Sequence, residues 1–540
     1  MRSYFLAFAI VLIFGSPTAW AAQVEPHHHA EAVEKLGKVS FPISCAPGVQ
    51  GQFERGVALL HSFWYEEAEK QFKEIAERDA GCSMAYWGEA MSFYHELWDR
   101  PDEVHLKRGW ELVQRAQTTG AKTQREGDYI KALAAFYRDY DKVDHDKRAT
   151  AYSKGMENVY KHYPDDNEAA VFYALSLLAS EPETDTELAY PKKAVSILNA
   201  VLQKEPDHPG VTHYLIHACD NPKMAELGLS AARRYAEIAP AAPHVLHMPS
   251  HIFARLGLWQ EDIQSNLASK AASEKLGPMH VGAENRLHAM DFLEYAYLQI
   301  GEDRKAKAII AESETVRPSD LDQGFDGYLE YVHAHFAATY ALETRRWKEA
   351  EALQPPAGEP IHQGITCWAR AVGAGHLRDI AQARDAVKQF EAAMEAMKQG
   401  PHAYAVKGME TNRDEARAWW AFAEGKNEEA LGLLRPIAER QGQVGKGEVE
   451  LPAREMLADM LLEMNRPQDA LREYEKSLKT DPNRFNGLYG AARAAELTHN
   501  DAKASAYSAQ LLKNCENALD SDRPELAHAK QLAGRERASR

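Results

Sequence analysis

Residues 209–240 read PGVTHYLIHACDNPKMAELGLSAARRYAEIAP, and residues 243–270 read PHVLHMPSHIFARLGLWQEDIQSNLASK. Set against each other with an offset of 34 residues, Pro209 meets Pro243, His213 meets His247 and His217 meets His251. Apolar and small residues recur every three or four positions in both stretches, and the alternation of a strand is missing. Each stretch therefore reads as two helices joined by a short turn. A hairpin that repeats at a fixed length predicts an array in which each unit packs on its neighbours.

The same frame extends in both directions. Gly56, Leu59, Ala68, Phe72 and Ala80 give small, large, small, aromatic and terminal positions of a first unit. Ala194, Leu198 and Pro206 form another, followed by Gly228, Ala232 and Pro240. Gly257, Trp259 and Asp262 continue the series, with Gly257 read as the left-handed cap that closes a helix. Gly301 and Ala306, Trp347 and Ala350, Gly425 and Ala430, then Ala470, Tyr474 and Pro482, and finally Ala504 carry it toward the C-terminus. The spacing is 34 residues as far as Asp262, 44 to Ala306 and again to Ala350, and 40 then 34 at the end, so the array is irregular. Residues 100–165 are helical in period but fit the frame poorly. Polar stretches at Ser180–Glu187, Gln354–Pro360 and Gln441–Glu448 interrupt it.

Leu59 to Phe63 (LLHSF), Ala85 to Gly88 (AYWG), His244 to Phe253 (HVLHMPSHIF) and Pro482 to Ala491 (PNRFNGLYGA) resemble the tetratricopeptide repeat (TPR) superfamily and, within it, exported bacterial TPR proteins of undefined activity. The resemblance implies an all-α fold, a right-handed TPR-like superhelix of about nine to eleven stacked hairpins. It also implies a concave groove, lined by positions 2, 5, 9, 12 and 13 of each first helix, that holds a peptide or protein partner.

In that frame His213 and His247 take position 5 and His217 and His251 position 9, so both pairs are expected to face the groove. Residues i and i+4 on a helix lie about 5–6 Å apart, and packed helices about 8–10 Å apart. Four imidazoles would then meet at one ion, and an imidazole-rich site suits Zn, Cu or Ni. Asp291, with His288 three residues before it, is a candidate second-shell acceptor or additional ligand. His61, His95 and His335 are further groove candidates, His333 lies close to the last, and His208 reads as a turn residue. Pro249 removes a helical N–H between His247 and His251, so the helix either kinks there or starts there. The HExxH, P-loop, GxGxxG, GxSxG and CxxC motifs are missing, and no reaction is named by the motifs present.

Composition sets the remaining bounds. Residues 1–21 read as a cleavable signal peptide, with Arg2, an apolar run at Phe5–Phe14 and Ala19-Trp20-Ala21, which predicts a periplasmic or secreted protein. Residues 22–49 read as an extended segment with a mobile His27-His28-His29 tract; 50–353 as an N-terminal array carrying the histidines; 361–520 as a C-terminal array; and 521–540 as a tail. The net charge of −17 argues against nucleic acid, and no later apolar run is long enough to span a membrane. Cys45 and Cys82 flank the first hairpin and are the candidate disulfide, while Cys219, Cys367 and Cys515 read as buried thiols. The leading reading is an exported TPR binding or scaffold protein with a transition-metal site in its groove. A metal-dependent hydrolytic or oxidative enzyme on the same scaffold and a metal-free adaptor are the alternatives.

Overall fold

A computed structural model describes residues 35–538 apart from 98–99, 183, 277–281, 322–326, 399–402, 446–449 and 520. Residues 1–21, expected to be a signal peptide, and the His27–His29 tract lie outside the described residues. Every regular element among the described residues is a helix, and no helix among them is long and apolar enough to cross a membrane. With the helix broken at Pro249 taken as one, they form twelve hairpins and a terminal helix, Pro524–Ala538. Helices adjacent in sequence pack on each other along the chain, so the architecture is a TPR-like stack.

Small residues set how closely the helices approach. A Cβ built at Gly56 would lie 2.7 Å from the Phe72 ring, and one at Gly88 would also overlap that ring. Phe72 therefore fills the space between three helices, and Tyr474 does the same beneath Gly490. At these two places a hairpin is locked to the next by an aromatic side chain that accepts only glycine opposite it.

The stack is longer than the frame predicted because residues 100–165 also fold as repeats. Their helix starts are well specified: Asp102 accepts from His105 N, Thr123 and Glu126 form a capping box, and Asp144 accepts from Asp146 N. Local capping compensates there for the poor match to the template. The segment from Lys35 is held in place, because Phe41 is fully buried with its ring centroid 5.2, 5.6 and 5.0 Å from those of Phe53, Trp87 and Tyr129. Residues 523–529 also pack on the array. Arg523 bonds Asp303 at 2.8 Å, and Leu526 and Ala529 bury against Phe485, Leu488, Leu511 and Cys515. The Gln354–Pro360 stretch does not divide the core: one apolar cluster includes Ala338, Leu342 and Ala350 before it and Cys367, Trp368 and Val372 after it.

Contacts between distant repeats close the stack on itself. Gly257 ends the helix Pro249–Leu256 in the left-handed region (φ 63°), as its position in the frame predicted. Its open side faces the Pro482 carbonyl. Asn483 donates to the Gly257 carbonyl at 3.1 Å, and the Trp259 indole donates to the Asn483 carbonyl at 2.9 Å. Gly257→Ala combines the left-handed backbone with an overlap on a carbonyl that cannot swing away. It is expected to cost about 2 kcal/mol or more in urea denaturation. A cost below about 0.5 kcal/mol would show that this junction is soft.

Candidate metal centre

His213 and His217 lie one turn apart on the helix Pro209–Cys219, with their Nε2 atoms 3.1 Å apart. His244, in the first turn of the next unit, brings its Nε2 to 3.2 Å from that of His213. The second pair behaves alike. Pro249 breaks the helix into Pro243–His247 and Pro249–Leu256, yet Met248 keeps helical angles and the Nε2 atoms of His247 and His251 are 3.0 Å apart. His288, on the helix Gly282–Gln299, completes this group with its ring centroid 4.3 Å from that of His247. In each group of three, one donor atom per residue lies within 4.8 Å of the others. Rings of the two groups approach to 6.2 Å between His244 and His247 and 6.4 Å between His217 and His251.

The expected single patch of four imidazoles is thus two adjoining groups of three. Each i, i+4 pair converges on itself, and the spacing between packed helices keeps the pairs apart. A third imidazole then joins each pair from a neighbouring turn or unit. The i, i+4 pattern misses His244, although it occupies position 2 of its unit, one of the groove-facing positions.

The far side of the rings fixes which nitrogen carries the proton. His213 Nδ1 donates to the His61 carbonyl at 2.7 Å. His251 Nδ1 donates to Asp220 at 3.0 Å, and His247 Nδ1 donates to Asn266 Oδ1 at 2.6 Å. The Asn266 amide donates to the Asp262 carbonyl, which turns its oxygen toward His247. Burial alone would raise the Asp220 carboxyl, but Arg255 at 2.7 Å and His251 outweigh it and hold Asp220 far below the usual carboxylate range. All three acceptors therefore take a proton from Nδ1, so the three Nε2 atoms present lone pairs. Burial, followed by the neighbouring imidazoles, lowers the basicity of His213, His217, His244 and His247, so they stay neutral. Neutral Nε2 donors with an acceptor behind the ring are what a metal ligand requires.

Each group is covered by a phenylalanine. The Phe63 ring centroid lies 4.4, 5.6 and 5.7 Å from those of His213, His217 and His244. Phe63 sits in the left-handed region (φ 54°), unusual for a bulky residue, in the turn that follows the helix Gln50–His61. Phe292 plays the same part for the other group, at 4.7, 4.9 and 5.6 Å from His247, His251 and His288. His213 and His247 are fully buried, and His244 and His251 nearly so. The open, partner-lined groove expected at these positions is therefore filled by the chain itself. The turn at Phe63 covers one end, and Arg484 from a distant repeat reaches Tyr295 near the other.

The remaining candidates fall elsewhere. Asp291 does not stand behind a clustered imidazole; it pairs with His335, whose Nε2 is 3.1 Å from its Oδ1. Asp220, Asn266 and the His61 carbonyl take the orienting role instead. His61 joins a separate, fully buried triad in which Glu168 bonds His61 and His208 at 2.9 Å each. Burial would raise the Glu168 carboxyl, but His208 and His61 outweigh it and hold it at about 2. Tyr214 bonds His61 Nδ1 at 2.8 Å, and His208 Nδ1 accepts from Val211 N, so the nitrogens of this triad are satisfied within the protein. His208 is therefore a helix cap and a member of that triad as well as a turn residue. His95 stacks on Tyr65 at 4.2 Å, and His333 approaches the Ser313 carbonyl at 3.4 Å. Cys45 and Cys82 are joined in a disulfide, and the Cys219 thiol, which burial pushes up to about 12, is outside both groups.

No protein-family model and no curated protein sequence matches the chain. Among solved structures, the chain is similar to the human IFIT1 dimer with m7Gppp-AAAA at 10% identity and TM-score 0.35, over 80% of this chain and 90% of that one. It is also similar to the APC/C hetero-tetramer Cut9-Hcn1 at 12% identity and TM-score 0.29, over 88% and 95%. A likeness this distant carries no functional argument, and the chemistry rests on the residues.

Proposed function

We propose that this protein is a metalloprotein built on a TPR-like scaffold, in which His213, His217 and His244 hold one transition-metal ion and His247, His251 and His288 hold a second. The observation that carries this reading is the set of facing Nε2 atoms. Lone pairs 3.0 Å apart at His247 and His251, with both protons committed to Nδ1, repel one another unless a cation lies between them, and the His213 lone pair faces the Nε2 atoms of His217 and His244 at 3.1 and 3.2 Å. Two imidazoles bound tetrahedrally at about 2.0–2.1 Å from an ion would have their nitrogens about 3.3–3.4 Å apart, close to the spacing seen. Zinc, copper and nickel all accept such donors.

The enclosure favours chemistry on a small ligand over recruitment of a peptide at the histidines, because the rings that would contact a peptide are covered. Export, expected from residues 1–21, would suit a chain stapled by the Cys45–Cys82 disulfide.

Elemental analysis of the purified chain, lacking the His27–His29 tract and any added histidine tag, tests the reading. One ion per group is expected in the parent. His213→Ala should lose the first ion and His288→Ala the second, with helical circular dichroism retained. An unaltered metal content in both variants, or no metal in the parent after reconstitution with each of the three metals, would end it.

A further inference from the structure

Resting on the two-ion reading, we infer that Glu168 is a positioning residue for the first ion and not for the second. Glu168 bonds His61 and His208, neither of them a ligand, and acts through both.

The first link is the acceptor behind His213. It is the backbone carbonyl of His61, 2.7 Å from His213 Nδ1. A main-chain carbonyl is aimed only by holding the chain that carries it. His61 is the last residue of the helix Gln50–His61, and Phe63, which covers the group, sits in the turn beyond. Glu168 Oε2, 2.9 Å from His61 Nε2, anchors that end of the helix. The second link is the helix that carries two of the ligands. His208 caps Pro209–Cys219, its Nδ1 accepting from Val211 N at 3.3 Å. Its proton is therefore on Nε2, which donates to Glu168 Oε1 at 2.9 Å.

One carboxylate thus fixes both the acceptor behind His213 and the start of the helix bearing His213 and His217. Glu168 is 1% exposed and His61 and His208 are fully buried, so water cannot take over these bonds. Packing adds to the coupling. A Cβ at Gly210 would lie 2.6 Å from His61 Nδ1, so the helix start and the His61 ring cannot shift independently. The second group is held by other contacts: Asp220, bound by Arg255, stands behind His251, and Asn266 behind His247.

The experiment places Glu168→Gln in two backgrounds of the full chain: His288→Ala, which keeps the first group, and His213→Ala, which keeps the second. Glutamine preserves the shape but offers one acceptor oxygen to two imidazole N–H groups. Zinc, or copper or nickel where the parent retains only that metal, is titrated against a competing chelator. Binding is expected to weaken about 10–100-fold at the first group, as for other residues that orient a ligand. At the second group the change is expected to stay below about twofold. Gly210→Ala, which alters no charge and presses on the His61 ring, is expected to weaken the first group alone by about tenfold. It keeps the test open should Glu168→Gln not fold. In metal-free chain labelled with nitrogen-15 histidine, the His213 ring signal is expected to change in Glu168→Gln while those of His247 and His251 stay. Equal weakening of both groups, no weakening of either, or an unchanged His213 signal would overturn the inference and leave the metal reading standing. A parent that retains no zinc, copper or nickel would overturn both.

Discussion

Arg484→Met is expected to lower stability by about 3–5 kcal/mol, because it leaves two buried carboxylates without their cation. Arg484 is almost fully buried and binds Glu455 at 2.9 and 3.0 Å and Glu343 at 2.8 and 3.1 Å. Its remaining nitrogen donates to the Tyr295 hydroxyl. Glu343 belongs to the helix Tyr328–Glu343, Glu455 to Ala453–Glu463 and Tyr295 to Gly282–Gln299, so a single guanidinium ties two successive repeats to a third that is distant in the chain. The pair attraction need not exceed the desolvation of the ions, so the intact cluster is not itself a large source of stability. The loss comes from the orphaned charge: burial already pushes the Glu455 carboxyl up despite Arg484. The triple change Arg484→Met/Glu343→Met/Glu455→Met is accordingly expected to recover most of the loss. Urea denaturation followed by helical circular dichroism reads both. A single-variant loss below about 1 kcal/mol, or a triple variant no better than the single, would mean that the cluster relaxes into water.

Metal removal is expected to have a comparable effect for a different reason. The six imidazoles come from Pro209–Cys219, from the two halves of the broken helix and from Gly282–Gln299, so bound ions would cross-link three successive repeats. A ligand that binds only the folded state stabilises it by about 4 kcal/mol at a thousandfold excess over its dissociation constant. Chelated protein should therefore melt lower than metal-loaded protein, and re-addition of the metal should restore the transition. In His213→Ala/His247→Ala, which breaks both groups, chelator and metal should have no further effect. A parent whose melting is indifferent to chelator after verified metal removal would separate binding from structural cross-linking.

How much was legible in the sequence differed by element. The hairpin period, the Gly257 cap and the two histidine pairs could be read directly, because each depends on residues within one unit. The repeats between 100 and 165 were obscured because capping residues, not the repeat template, specify them. The place of Asp291 was not legible either. Position along the helix puts it near His288, but its side chain turns toward His335 on the next repeat's first helix.

The sequence by itself determined that this chain is a helical stack and that four imidazoles occur at equivalent places in two successive units. Helical periodicity and i, i+4 geometry are local, and local sequence dictates them. Only the tertiary structure decided that the histidines form two groups of three, that Asp220 and Asn266 orient them, and that Phe63 and Phe292 enclose them. These contacts join side chains whose spacing follows no period. Which residues meet there depends on how far the irregular units rotate against one another, and that rotation is set by packing between helices.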